Sequence, residues 1–130
     1  MSRLILALLL SAGLPAAAET WLSPQAFEAR VAGKTTKVLN LDGTPFGTEY
    51  FGTDRTVIWQ FAGEDQCMTG TWKPRQGAVC YAYDDGTRNC MRYKPEGDRL
   101  VGVDANPGGA LGDPVVLVVT DAAPPACAGS

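Results

Sequence analysis

The chain has 130 residues, with 11 Lys and Arg against 14 Asp and Glu, no histidine, and a formal net charge of −3. Without histidine, Ser-His-Asp and Cys-His catalysis and His-based metal sites are excluded. The scattered, mildly acidic charge leaves no basic face for a nucleic-acid partner and disfavours adsorption to an anionic membrane surface.

The first eighteen residues read as an export signal. Arg3 is a short positive segment, Leu4 to Leu10 an apolar run, and Gly13 and Pro15 lead into Ala16-Ala17-Ala18, a small-residue cleavage site before Glu19. The apolar run is far short of the roughly 20 residues a membrane span needs, and no cysteine at the cleavage point offers a lipid attachment. The expected mature chain, residues 19–130, is periplasmic or secreted and carries no membrane span. Its length suits a single domain that buries roughly 60–70% of its unfolded surface.

The mature chain opens with a helix. Ser23 is a capping residue, Pro24 suits the first helical position, and Leu22 and Phe27 can form a hydrophobic staple. Phe27 and Val31 lie one turn apart on one face, and Gly33 is a natural stop. The helix is expected to pack across one end of a sheet, with Phe27 as a core plug.

After Gly33 the periodicity becomes alternating. Strands are predicted at Thr35–Leu41, Gly47–Phe51, Thr56–Phe61, Met68–Lys73, Ala78–Tyr83, Cys90–Lys94, Arg99–Asp104 and Val115–Thr120. Turn chemistry separates them: Asp42-Gly43 with Pro45, Gly52-Thr53-Asp54, Ala62 to Asp65, Pro74 to Gly77, Asp84-Asp85-Gly86, and Pro95 to Asp98. Connections this short exclude parallel crossovers, so the topology is an up-and-down meander. Residues 105–114, rich in Gly and Pro, read as a mobile loop, and residues 121–130 as a tail.

The strands carry one apolar face: Val57, Trp59 and Phe61; Met68, Gly70 and Trp72; Val79, Tyr81 and Tyr83. Trp59, Trp72 and Tyr81 therefore share one side. The fold class is mainly β: one short N-terminal helix and a seven- or eight-stranded antiparallel meander, closed as a small lipocalin-like barrel, with a β-sandwich as the alternative. Closure is preferred because it removes exposed edges. The aromatic group is read as core, with Trp59, Trp72 and Tyr81 as the ligand-binding candidates if they line a barrel mouth.

Cys67, Cys80, Cys90 and Cys127 all lie in the mature part, and an even count in an exported domain reads as two structural disulfides. Three connectivities exist. Cys80 and Cys90 lie symmetrically about the turn Asp84-Asp85-Gly86-Thr87 and should face each other across a hairpin. Cys127 then ties the tail to Cys67. Loop entropy puts the short bridge at about 2.7 kcal/mol and the long one at about 4.3 kcal/mol.

Other constellations carry little chemistry. Glu64-Asp65 and Asp84-Asp85 lie in turns, and neither pair is placed to separate two pKa values. Asp84, Asp85 and Asn89 offer oxygens, but their spacing fits no standard calcium loop. Arg92 and Lys94 are read as a solvated face. No catalytic residue, metal site or cofactor is expected, and no Gly-rich phosphate loop precedes a helix.

The order Asp42-Gly43-Thr44-Pro45-Phe46, Glu49-Tyr50-Phe51, Thr56-Val57-Ile58-Trp59, Gly70-Thr71-Trp72, Val79-Cys80-Tyr81 with Tyr83, and Cys90 resembles a group of small exported alphaproteobacterial proteins of unknown function. Those proteins carry a G-x-W step and a C-[FY]-x-Y…C pair. The resemblance spans Leu22 to Tyr93. It implies the β fold and the Cys80–Cys90 bridge, and it brings no catalytic residues.

Three functions follow as expectations. The first is a non-enzymatic periplasmic binding or inhibitory module, acting through its surface on an envelope protein, with residues 105–114 as its patch. The second is a carrier of a small apolar ligand inside the barrel, which requires a cavity of several hundred Å³. The third is an enzyme using carboxylates alone, which requires a buried, strongly perturbed Asp or Glu facing a cleft.

Overall fold

The computed structural model describes residue 13, residues 20–108 and residues 112–127. The expected export signal (Gly13 aside), residues 109–111 of the Gly/Pro-rich loop and residues 128–130 of the tail lie outside the described residues. Among the described residues there are one helix, α1 (Pro24–Val31), and eight strands: β1 (Lys34–Asn40), β2 (Pro45–Phe51), β3 (Thr56–Phe61), β4 (Met68–Arg75), β5 (Ala78–Tyr83), β6 (Arg88–Glu96), β7 (Arg99–Asp104) and β8 (Val115–Thr120). None of the described helical residues forms a span long and apolar enough to cross a membrane.

The strands follow one another as an antiparallel meander, and β1 closes the barrel by pairing with β8 from Thr35↔Thr120 to Asn40↔Val115. Closure, rather than the sandwich alternative, gives every strand two hydrogen-bonded neighbours and leaves no edge. The alternation read from the sequence is the inside–outside alternation of the wall. Val57, Trp59, Trp72, Val79 and Tyr81 are all buried, while the intervening Thr56, Thr69, Thr71 and Lys73 are exposed. Pro74 and Pro95 sit inside strands, opposite Val79 and Leu100, where the sequence suggested turns. Proline's fixed φ is extended enough for a strand, and it is accommodated near a strand end where its nitrogen need not donate.

One end of the barrel is plugged. The Ser23 side chain accepts from the Ala26 N–H at 3.1 Å and starts α1. Gly33, at φ +73°, turns the chain into β1 and donates to the Phe51 carbonyl at 2.7 Å. These turns drop Phe27 and Val31 into the barrel end, where both are fully buried. The Phe27 ring stacks on Tyr93 at 4.1 Å and meets Phe51 and Trp72 edge-on. Arg55, in the β2–β3 turn, clamps the plug from outside. It donates to both Glu28 carboxylate oxygens, at 2.8 and 3.0 Å, and lies 4.7 Å over the Trp72 ring.

Both disulfides are present. Cys80 and Cys90 are direct cross-strand partners on β5 and β6. Cys67, in the β3–β4 connection, joins Cys127. The segment after β8 reaches that bridge through a Lys34–Asp121 ion pair and a hydrogen bond from Gln60 Nε2 to the Ala126 carbonyl. Two bridges in so small a domain belong with an oxidising compartment.

Candidate functional site

The end of the barrel opposite α1 holds a cavity of about 350 Å³. Its walls are apolar, from Val38, Trp59, Met68, Met91, Val115 and Leu117, with Phe46 and Phe61 at the mouth. These two rings are 39% and 38% exposed and pack against each other and against Trp59. Trp59 reaches this position because Gly47, on the neighbouring strand, has no side chain. A Cβ there would lie 2.4 Å from the indole Cη2. Gly102 makes the same allowance for the Tyr93 ring, which would meet a Cβ at 2.8 Å.

One carboxyl lies among these apolar groups. Strand alternation places Gly47, Glu49 and Phe51 inward, and Glu49 is only 7% exposed. It sits between Thr36 of β1 and Trp59 of β3, its register partners. Thr36 Oγ1 donates to the Glu49 carbonyl at 3.2 Å. The Tyr83 hydroxyl donates to Glu49 Oε1 at 2.7 Å. No Lys or Arg forms an ion pair with Glu49 among the described residues. Burial therefore dominates, and the carboxyl is pushed up to about 8 despite the Tyr83 hydrogen bond, which favours the charged form. Burial, with the Glu49 charge adding to it, likewise raises the Tyr81, Tyr83 and Tyr93 hydroxyls above their ordinary range, which keeps them neutral. Below Glu49 the Tyr81 and Tyr93 hydroxyls meet at 2.6 Å.

The three aromatic candidates are all inward and buried but stand at different heights. Trp59 lines the cavity. Trp72 belongs to the plugged end, under Phe27 and Arg55. Tyr81 is the cross-strand partner of Trp72 and forms the layer between, packed on Phe51. Neither Trp72 nor Tyr81 lines the cavity; Tyr83 and Tyr93 do. Glu49 is not among the residues the sequence singles out: a charged strand residue reads as solvated, and its alternation with Gly47 and Phe51 marks it as inward only once that face of β2 is known to be buried.

At the rim, Arg88, Asp104 and Asp113 face the cavity. Asp104 organises the β7–β8 connection: Asn106 donates to Oδ1 through its backbone N–H at 2.9 Å and through its side chain, and Gly112 N–H approaches Oδ2 at 3.4 Å. Asn106 also accepts from the Cys90 N–H and donates to Asn89. Thus Asn89 turns to Asn106, while Asp84 accepts from Thr69 and Asp85 from the Thr87 N–H. Among the described residues no group of three or more His, Cys, Asp or Glu side chains converges as metal ligands would. Arg92 is exposed and bonded to the Gln76 carbonyl, and Lys94 lies over the Trp21 ring on the outer wall.

The arrangement can seat a small apolar molecule and offer it a carboxyl at Glu49 inside, with Arg88, Asp104 and Asp113 at the rim. No family model, no curated protein and no solved structure matches the chain.

Proposed function

We propose that this is a non-enzymatic binding protein of the cell envelope, exported on residues 1–18, which holds a small, largely apolar ligand in the open end of its barrel. One observation carries the reading: a cavity of about 350 Å³ bounded by Trp59, Met68, Met91 and Leu117 and open between Phe46 and Phe61. That volume lies at the small end of the range for ligand sites, roughly 300–1,000 Å³. Its mixture of apolar walls and a single interior carboxyl also matches the usual make-up of such sites.

Glu49 meets one requirement of a carboxylate-only enzyme, because it is buried, perturbed and faces a cleft. Acid–base work also calls for a second group with a separated pKa. The phenols nearest Glu49 are raised so far that they do not exchange a proton near neutral pH, and no second buried carboxyl accompanies Glu49 among the described residues. Binding is therefore the better reading. A surface-acting module needs a loop-borne patch, and the described parts of the β7–β8 connection are instead tied to Cys90 and Asp104.

The test is binding of N-phenyl-1-naphthylamine to the full mature chain, read by probe fluorescence. Wild type binds and Met91→Trp, which fills the cavity, does not, with unchanged far-UV circular dichroism. Equal binding by both proteins, or none by wild type, would overturn the carrier reading. Native mass spectrometry of protein taken from its own periplasm then reports the leader cleavage and any retained ligand.

A further inference from the structure

Charge and ring placement in the cavity narrow the class of ligand. Glu49 is nine-tenths buried, it faces the cavity, and no cationic side chain pairs with it among the described residues. Leaving a carboxylate in such surroundings without a counter-charge is costly. The nearest walls are aromatic: Trp59, its cross-strand neighbour, and Tyr83, which reaches it through the hydroxyl; both rings line the cavity. Ring faces attract cations, and an aromatic enclosure around an ammonium is a recurrent means of recognising one. The other charged groups on the cavity are Asp104 and Asp113 against Arg88, so acids outnumber bases around it and the field favours a positive guest.

Resting on the carrier reading, we propose that the ligand is an organic ammonium whose cationic nitrogen sits against the Glu49 carboxylate between Trp59 and Tyr83, with its apolar body toward Phe46 and Phe61. The bound cation supplies the counter-charge the fold omits. A guest with only a hydrogen-bond acceptor would instead use protonated Glu49 as donor, and the two cases respond oppositely to pH. The groups facing Glu49 are Thr36 from β1, Trp59 from β3, Tyr81 and Tyr83 from β5 and Tyr93 from β6, with Arg88, Asp104 and Asp113 at the rim. The three hydroxyls stay neutral, which leaves Glu49 as the interior group that titrates near pH 8.

The experiment compares benzyltrimethylammonium, whose charge does not titrate, with its uncharged carbon isostere neopentylbenzene, by Trp fluorescence and calorimetry from pH 6 to 9. The cation's affinity is expected to rise by up to about tenfold per pH unit to about pH 8 and then level, because the cation binds the carboxylate. The isostere's affinity stays flat or falls. Glu49→Gln loses the rise and binds the cation at least about tenfold more weakly at pH 9. A ¹³C-carboxyl titration of wild type adds a readout independent of that variant: the bound cation lowers the Glu49 pKa. An affinity for the cation that is flat with pH, an isostere that binds as tightly at pH 9, or an unmoved carboxyl titration would overturn the proposal. If N-phenyl-1-naphthylamine still binds in that case, only the ammonium assignment falls; if it does not, the carrier reading falls with it.

Discussion

The Tyr83 hydroxyl donates to Glu49 Oε1 across the barrel interior at 2.7 Å and joins β5 to β2 through the one carboxyl the core contains among the described residues. The pair makes stability depend on pH in an unusual direction. Burial raises the Glu49 pKa from 4.5 to about 8, so the folded chain holds a proton that the unfolded chain releases. Its contribution is fully present below about pH 4.5, declines as pH rises, and is lost above about pH 8. Each unit is worth about 1.4 kcal/mol, so the urea midpoint should fall substantially between pH 5 and 9. Glu49→Gln keeps an acceptor for Tyr83 and should flatten that decline. The exposed carboxylates of Asp42, Asp54, Asp85 and Asp121 and the half-buried one of Glu28 are held low by hydrogen bonds from Thr44, Thr56, Thr87, Lys34 and Arg55 respectively, and their effect lies at acid pH outside this window. Parallel curves for wild type and variant would remove Glu49 as the cause.

Gly47→Ala tests how the cavity wall is built. The added Cβ meets Trp59 at 2.4 Å and the Gln60 carbonyl at 2.6 Å, so the indole must move into the cavity or the strands must part. Overpacking of this kind costs about 1–3 kcal/mol. The expected result is that loss together with an altered near-UV signal and weakened probe binding. Gly43→Ala is the comparison: its Cβ meets nothing within 4 Å, but φ is +85°. It should lose stability through backbone strain and leave the Trp59 signal alone. Identical spectra for the two variants would contradict the Gly47–Trp59 contact.

The barrel was legible because its signals are local. Alternation assigned the inner faces of β3, β4 and β5, and turn residues marked each reversal. The symmetry of Cys80 and Cys90 about their turn fixed one cross-strand pair. Height along the barrel axis was not legible. Trp59, Trp72 and Tyr81 share a face, yet only the strand stagger decides that Trp59 meets the cavity while Trp72 lies under Phe27. Glu49 shows the other limit. A charged residue between apolar ones reads as solvated, and its burial depends on Tyr83 arriving from a strand 34 residues away.

The two disulfides should separate in their effects. Cys67–Cys127 closes a loop of separation 60 and Cys80–Cys90 one of separation 10. In the loop-entropy account the longer bridge stabilises by about 1–2 kcal/mol more. Replacing Cys67 and Cys127 by Ser should therefore lower the urea midpoint further than replacing Cys80 and Cys90. It should also free residues 121–127 to proteolysis, since Lys34–Asp121 and Gln60–Ala126 are exposed contacts. A tail equally resistant in both double variants would show that those contacts hold it without the bridge.

Phe27→Ala tests whether α1 acts as the barrel's plug. Phe27 is fully buried, stacked on Tyr93 at 4.1 Å and edge-on to Phe51 and Trp72. Its truncation removes contacts to three rings at once and leaves a void that the closed wall cannot collapse to fill. The expected cost is about 3–5 kcal/mol, a fall in Tm of more than roughly 10 °C for a domain of this size. Tyr93 also lines the cavity and shares a hydrogen bond with Tyr81, so its loosening should weaken probe binding from the far side of the barrel. Phe27→Leu, which keeps most of the volume, should recover much of both losses. Arg55→Ala removes the outer clamp to Glu28, a partly exposed pair, and should cost no more than about 1 kcal/mol. If Phe27→Ala were no more damaging than Arg55→Ala, the helix would be an appendage held from outside, and the aromatic plug would not be what closes the barrel.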